Sequence, residues 1–304
     1  MALAVCGPTA VGKSAAAARA AARIGGEIVN ADSRQIYAGM PIGTGWPSRE
    51  IMALAPHHGY GLICPAERYS AGRFVADATR TIAEISARGH VAIVVGGTGL
   101  YLEALAGSMP LDRSVADEAI KQRVQSEAAL HRQSTLHAWL ASLSPPAAAR
   151  VPAGDSYRTL RALEAALADR DGRKFADRPA LAVELRVLVI DCERSILGAR
   201  IARRIEAMFE SGIIEEARAI RERHADAPAL TGLGYAEALA YYDGALTRSE
   251  ALRAAIARTQ RYAKRQQTWF RRMRGAHAID ATHLAIDDLA EAIASEARKL
   301  SAPA

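Results

Sequence analysis

The sequence predicts an α/β fold, a parallel sheet flanked by helices and interrupted by a helical insertion domain. Three observations carry that expectation. A glycine-rich loop joins an apolar, strand-like run to an alanine-rich helix near the N-terminus; strand and helix patterns alternate up to about residue 107; and strand patterns are absent from 108–180 before a β-branched run resumes. The expected division is a core domain of residues 1–107 and 181–304 and an insertion domain of residues 108–180.

Taken in order, Leu3 to Cys6 is an apolar run of strand length, and Ser14 to Ile24 is rich in alanine, which loses least on entering a helix. Glu27 to Ala31 reads as a second strand, Ala71 to Arg88 as a helix, Val91 to Val95 as a buried strand, and the segment from about Leu100 as a helix after a second glycine cluster. Strands separated by helical crossovers make a doubly wound parallel sheet, because parallel neighbours need long connections. The insertion is charged, alanine-rich and helix-favouring, with breaks at Ser144, Pro145, Pro146 and Pro152, where proline removes a backbone donor and stops a helix. A strand from Val183 to Asp191 follows, then a helical remainder closing on a surface helix from about Ile286 to Leu300.

Composition narrows the function class. Half of the 304 residues are hydrophobic, enough for a sizeable core. No apolar run approaches the roughly 20 residues of a membrane span, and no charged leader precedes the first strand, so no membrane partner, no signal peptide and a cytoplasmic location are expected. Cys6, Cys64 and Cys192 are far apart and at no ligand spacing, so they are expected as buried thiols, without a zinc site. The net charge of +6 suits an anionic partner. Its distribution says more: Arg258, Arg261, Lys264, Arg265, Arg271, Arg272 and Arg274 share a short stretch with Tyr262, Trp269 and Phe270. Taken alone, such a stretch is usually a solvated helix face. Its aromatic rings are costly to expose unless bases stack on them, and the cations beside them suit a phosphate backbone.

Gly7, Pro8, Thr9, Ala10, Val11, Gly12, Lys13 and Ser14 follow the spacing of a phosphate-binding loop between a strand and a helix. The glycines let the backbone curl until its N–H groups converge on a phosphate, Lys13 neutralises the charge, and the Ser14 hydroxyl can ligate Mg²⁺ at the helix N-terminus. The expected core is therefore a P-loop NTPase-like sheet with a nucleotide-type, ATP-binding kind of loop. Phosphoryl transfer would require a strand-end aspartate on the metal. The best strand ends instead in Gly96, Gly97, Thr98, Gly99, Leu100 and Tyr101, which weighs against a kinase or ATPase.

Asp32, Ser33, Arg34, Gln35, Ile36 and Tyr37, directly after the second strand, resemble the DSxQxY segment of tRNA dimethylallyltransferases. Gly43 with Thr44, His57 with His58, Tyr69 with Ser70 and Phe74, and the GGTGLY run from Gly96 resemble that family's blocks in its order. The KRQQTWFR run from Lys264 to Arg271 is similar to its most specific signature. Arg158, Arg161, Ala162, Leu163 and Glu164 resemble its arginine-rich segment, Gly234 and Tyr235 its GY element, and Arg218, six residues after Gly212, a family arginine. Two positions depart from the pattern. Trp46, in Gly-Thr-Gly-Trp-Pro, stands where the family usually has lysine, and Asp155-Ser156 replaces its Asp-Pro.

The resemblance implies transfer of a dimethylallyl group from dimethylallyl diphosphate to N6 of the adenine 3′ of the anticodon, position 37, in tRNAs reading codons that start with U. Diphosphate would leave, and Mg²⁺ would be the cofactor. An exocyclic amine is a poor nucleophile, so the leaving group must be stabilised and a proton accepted. By resemblance the loop from Gly7 to Ser14 and Arg218 hold the diphosphate, Asp32 is the general base, and Thr98 orients the reacting groups. The anticodon stem-loop would meet Asp32, Ser33, Arg34, Gln35, Thr98, Arg158, Arg161, Gly234, Tyr235, Lys264, Arg265, Gln266, Trp269 and Arg271, on a monomeric protein.

Other readings stay open at this point: a small-metabolite kinase, a prenyltransferase acting on free adenine nucleotide, and a non-enzymatic RNA-binding module. The insertion and the KRQQTWFR run offer more basic surface than a mononucleotide requires. A binding module would leave the loop and Asp32 without a purpose. Read for structure alone, Asp32-Ser33 is a turn or helix cap, GGTGLY a turn into a helix, and His57 and His58 structural residues.

Overall fold

The computed structural model of the chain describes residues 1–108, 118–170, 183–273 and 275–301; Arg274 of the basic stretch lies outside them. Two compact units emerge, Met1–Met109 with Leu181–Ala304, and Pro110–Ala180.

The first unit is built on six parallel strands: β1 (Ala2–Cys6), β2 (Glu27–Asn30), β3 (His57–His58), β4 (Ala92–Gly96), β5 (Leu185–Asp191) and β6 (His277–Asp280), in the order β3-β2-β4-β1-β5-β6. β1 and β4 are buried at every position, as expected of strands covered on both faces, which is why they read as unbroken apolar runs. The helices preceding the insertion are α1 (Lys13–Ile24), α2 (Pro41–Thr44), α3 (Arg49–Met52), α4 (Ala71–Ala87) and α5 (Gly99–Leu105). The second unit contributes α6 (Glu118–Leu130), α7 (Gln133–Leu143), α8 (Pro145–Arg150) and α9 (Ser156–Arg170), packed around Val124, Leu136, Leu140, Leu163 and Leu167. Pro145 opens α8, where its missing N–H has no helical partner to lose. The first unit then continues with α10 (Arg194–Glu210), α11 (Ile213–Arg223), α12 (Tyr235–Tyr242), α13 (Arg248–Phe270) and α14 (Ile286–Ser301).

Three features differ from the sequence expectation. The edge strands β3 and β6 carry too few apolar residues to announce themselves: β3 has two residues, and three of the four in β6 are exposed. The last helix is at the surface, with Asp287, Asp288, Glu291, Arg298 and Lys299 exposed, but its other face is core. Leu289, Ala290, Ile293, Ala294 and Ala297 of α14 are fully buried, and the helix packs on α1 and β1, where alanines on both helices permit close approach.

Glu27 ties the far edge of the sheet together. It opens β2, is buried, and accepts hydrogen bonds from Arg88 Nε at 3.0 Å and Nη2 at 2.7 Å, with His58 Nε2 at 2.6 Å and His90 Nδ1 at 2.7 Å. His58 thus joins β3 to β2, while His57 Nδ1 lies 2.7 Å from the Ala55 carbonyl. Hydrogen bonds from Arg88 hold the Glu27 carboxyl at about 2, well below the usual glutamate value of 4.5. Its stabilisation is therefore complete above pH 4.5 and is lost as the pH falls through about 2. Urea unfolding is expected to show Glu27→Ala less stable than the parent by about 2–4 kcal/mol at neutral pH, with the gap narrowing as the pH drops from 4.5 toward 2.

Candidate active site

In a parallel sheet all carboxyl ends lie on one edge, and here the segments following β1, β2, β4 and β5 gather on it. Glycine decides how closely they approach. A Cβ on Gly7, whose φ is +147°, would lie 2.1 Å from the Ile190 carbonyl oxygen, and one on Gly96 would lie 2.2 Å from that of Ala31. The loop from Gly7 to Lys13 runs into α1 through Gly12, and Ala10, at φ +64°, is the one non-glycine residue with positive φ among the described residues. Strain of this kind collects at ligand-binding turns. Lys13 Nζ donates to the Pro8 carbonyl at 2.9 Å. Burial pulls its pKa down from 10.5 to about 8 despite the opposing charge of Asp32. Burial pushes the neighbouring Cys6 thiol up to about 12, so it stays neutral.

Asn30 shapes the turn after β2: its Oδ1 accepts from Asp32 N–H at 3.0 Å, and Asp32 Oδ1 accepts from Arg34 N–H at 2.9 Å in an Asx-type turn. Thr98 follows β4, and its Oγ1 accepts from Ser33 N–H at 3.0 Å and donates to Ser33 Oγ at 3.2 Å. Asp32, Ser33 and Thr98 thus meet across the β2 and β4 ends. The Asp32 charge acts on Lys13, Arg204, Tyr60 and Tyr262. Burial, with help from Asp32, pushes both phenols up, so both stay protonated.

Arg218 is not brought to this cluster: its contacts are Glu222 at 3.4 Å and the ring of Tyr242 at 5.8 Å. The arginine there is Arg204 of α10, which interacts with Asp32 and Lys13 and donates to the Gly45 carbonyl at 3.2 Å. Sequence reasoning missed it, although a signal exists. The buried stripe of α10 is Leu197, Ile201, Ile205 and Phe209, and Arg204 falls within it at helical spacing, a cation on an apolar face.

Several residues assigned to RNA lie inside the protein. Gln266 is buried, with Oε1 accepting from Thr9 N–H at 2.9 Å and Nε2 donating to the Gly97 carbonyl at 2.8 Å, so it bridges the phosphate loop and the β4 turn. Gln35 is buried and donates to the carbonyls of Gly45 at 2.9 Å and Thr44 at 3.3 Å. Tyr235 is buried, its hydroxyl donating to Glu216 at 2.6 Å, and Gly234, at φ +87°, caps α12. Gln266, Gln35 and Tyr235 can read as RNA contacts because polar atoms give no sign of burial in a sequence, whereas the assignment of Gly234 rests on the GY resemblance alone. In the second unit Arg161 pairs with Glu164, while Arg158 is exposed beside Asp155.

Arg34 is exposed, as are Lys264, Arg265 and Trp269 of α13; the last three line a crevice of about 510 Å³ with Glu103, Thr268 and Arg272. The Trp269 indole lies against Gly99, one residue past Thr98, where a Cβ would come within 2.4 Å of it. Arg271, just past the end of α13, lies 3.9 Å from Asp191 and lines a second cavity of about 700 Å³ that Lys264 and Thr268 also line. Trp46 packs edge-on against Tyr60, ring centroids 5.6 Å apart, with its Nε1 buried and unpartnered. Cys64 is only partly buried, its Sγ 3.2 Å from His224 Nε2, against the expectation of a buried thiol. Among the described residues no helix is long and apolar enough to cross a membrane.

A sequence model of the IPP transferase family matches residues 35–273. The chain belongs to this family. It is 44% identical over 275 residues to the tRNA dimethylallyltransferase of Anaeromyxobacter dehalogenans, covering 89% of this chain and 92% of that protein. The crystal structure of the tRNA isopentenylpyrophosphate transferase of Bacillus halodurans superposes with a TM-score of 0.69 at 34% identity, covering 98% of each chain. A eukaryotic dimethylallyltransferase acting on tRNA gives a TM-score of 0.82 at 25% identity, over 99% of this chain and 80% of its own. The IPP transferase fold thus extends over the phosphate loop and Asp32, which precede the matched span.

The burial of Lys13's charge has a measurable consequence. Above pH 8 the free lysine must take up a proton to meet an anion, so affinity for inorganic diphosphate is expected to fall as the pH rises through about 8. Calorimetric titration at several pH values checks this. The ratio of parent to Lys13→Met affinity should hold steady below pH 8 and decline above it, cancelling the titration of diphosphate itself.

Proposed function

We propose that the chain transfers a dimethylallyl group from dimethylallyl diphosphate to N6 of adenine 37, 3′ of the anticodon, in tRNAs reading codons that start with U. The observation that carries the reading is the meeting of a phosphate loop, Lys13 and Arg204 with one carboxylate, Asp32, at a single sheet edge. The names of the relatives, and the structural neighbour that acts on tRNA, point the same way.

The chemistry follows from the residues. N6 attacks the allylic carbon as its bond to the diphosphate oxygen breaks, so negative charge gathers on the leaving group while the amine becomes acidic. The loop N–H groups, Lys13 and Arg204 meet the first charge, held in place before the reaction rather than recruited during it. Asp32 accepts the proton. Thr98 binds Ser33 and so fixes the turn that aims Asp32. The phenols of Tyr60 and Tyr262, which burial and the Asp32 charge keep protonated, do not compete for the proton.

Mg²⁺ fits this site in a particular way. Among the described residues no group of three or more His, Cys, Asp or Glu side chains could hold a metal. Ser14, in the first turn of α1, would hold the ion together with diphosphate oxygens, a donor set that suits a cation reluctant to shed its water. When bound, the ion would neutralise the leaving group. The anticodon stem-loop would lie on the exposed cations and the indole of Lys264, Arg265, Trp269 and Arg34, with Arg158 of the insertion and Arg271 meeting its phosphates. A base flipped from a single-stranded loop reaches such a site at a few kcal/mol or less.

Mass spectrometry of an unmodified tRNA reading U-starting codons, incubated with the protein, Mg²⁺ and dimethylallyl diphosphate, tests the reading. One prenyl unit is expected on the adenine 3′ of the anticodon, with the rate lowered about 10²- to 10⁴-fold in Asp32→Ala. Prenyl transfer to AMP, or turnover of ATP without tRNA modification, would refute it.

A further inference from the structure

Arg204 does not stand beside the phosphate loop unaided. Its guanidinium donates to the carbonyl of Gly45, which also accepts from Gln35. Gly45 is the left-handed residue that ends α2, at φ +62°, and a Cβ there would lie 1.7 Å from Arg204 Nη2. The position of Arg204 is thereby tied to the position of α2.

A helix of one turn has little stability of its own, and α2 lacks the usual cap: its N-cap residue, Met40, offers no side-chain oxygen. Pro41 brings no N–H, so the orphan donors of the first turn are those of Ile42 and Gly43. Both are met from outside. Glu216 of α11 accepts from Ile42 N–H through Oε2 at 2.9 Å and from Gly43 N–H through Oε1 at 2.9 Å. Tyr235 donates to the same Oε1 at 2.6 Å, and its hydroxyl lies 3.4 Å from the Met40 carbonyl. The ring reaches this point only because residue 43 is glycine: a Cβ would lie 2.4 Å from Tyr235 Cζ. Each glycine of the Gly43-Thr44-Gly45 run thus admits one side chain, Tyr235 at the start of α2 and Arg204 at its end.

We infer that Glu216 and Tyr235 are positioning residues for the diphosphate site, acting through α2 and Gly45 on Arg204. Neither touches substrate. Glu216 caps α2 with a carboxylate, Tyr235 fixes that carboxylate, and the Gly45 carbonyl at the other end orients the guanidinium that faces the leaving group. Burial keeps the Tyr235 hydroxyl protonated, so it remains a donor throughout the working pH range.

The inference rests on the reading of the loop as a diphosphate site, and inorganic diphosphate tests it without requiring prenyl transfer. Calorimetric titration of the full chain with inorganic diphosphate is expected to show Tyr235→Phe and Glu216→Gln each weakening binding about tenfold, the loss of one buried hydrogen bond, while tRNA affinity is unchanged. Gly45→Ala, which displaces Arg204 directly, should give the same signature. Arg204→Ala is the decisive background, since a residue that acts through Arg204 has nothing left to lose there. Glu216→Gln should add less than twofold in that background. A full additional tenfold loss, an equal loss of tRNA affinity, or unchanged diphosphate binding in both Tyr235→Phe and Glu216→Gln would overturn the positioning role. Coupled diphosphate losses in a protein that modifies no tRNA would uphold the positioning role and refute the reading above it.

Discussion

One carboxylate acts on two largely desolvated cations at the edge of this sheet, and much of the packing above the sheet holds them there. Lys13 and Arg204 both lose hydration and both feel Asp32, which can offset only one of their charges. The imbalance leaves a positive site whose natural complement is an anion. The curled loop adds backbone N–H groups to it, and the glycines at positions 7 and 96 let neighbouring loops close around it without a Cβ in the way.

The long helix α13 connects this interior to the surface. Its buried face carries Gln266, hydrogen-bonded at once to the phosphate loop and to the turn before Thr98, and Gln267, which donates to Asp191 Oδ1 at 2.7 Å. Its exposed face carries Lys264, Arg265 and Trp269. A polar side chain with both partners satisfied inside, beside cations left facing water, is how one helix can brace a reaction site and present a surface for an anionic polymer. The two glutamines stand next to each other in the sequence and serve different strands, Gln266 the β1 and β4 ends and Gln267 the β5 end.

How much of this is legible in the sequence depends on whether the controlling interaction is local. The order strand, glycine loop, helix is local, so β1, the loop and α1 are readable, as are Asp32 and Thr98 at strand ends. Arg204 depends on the convergence of α10 with α2 and the loop, which both precede it by more than 150 residues, and the arginine selected by motif, Arg218, lies on an exposed face of α11 instead. Gln35, Gln266 and Tyr235 carry polar atoms that suggest a surface, yet each is satisfied by buried partners that only the fold supplies. Short edge strands such as β3 and β6 gain their hydrogen bonds from a neighbour already in place, so their own residues say little. The last helix was readable as a helix but not as core, because alanine fills its buried face and carries little hydrophobic signal.

The central claim is that the loop holds a departing diphosphate and takes no part in phosphoryl transfer. The most direct measurement is the stoichiometry of phosphorus released per prenyl group attached to tRNA, with orthophosphate and diphosphate quantified separately in the same reaction. One diphosphate per prenyl group, with no orthophosphate above background, is the predicted result. Orthophosphate released in step with product would contradict it, since the loop would then be breaking a phosphorus–oxygen bond.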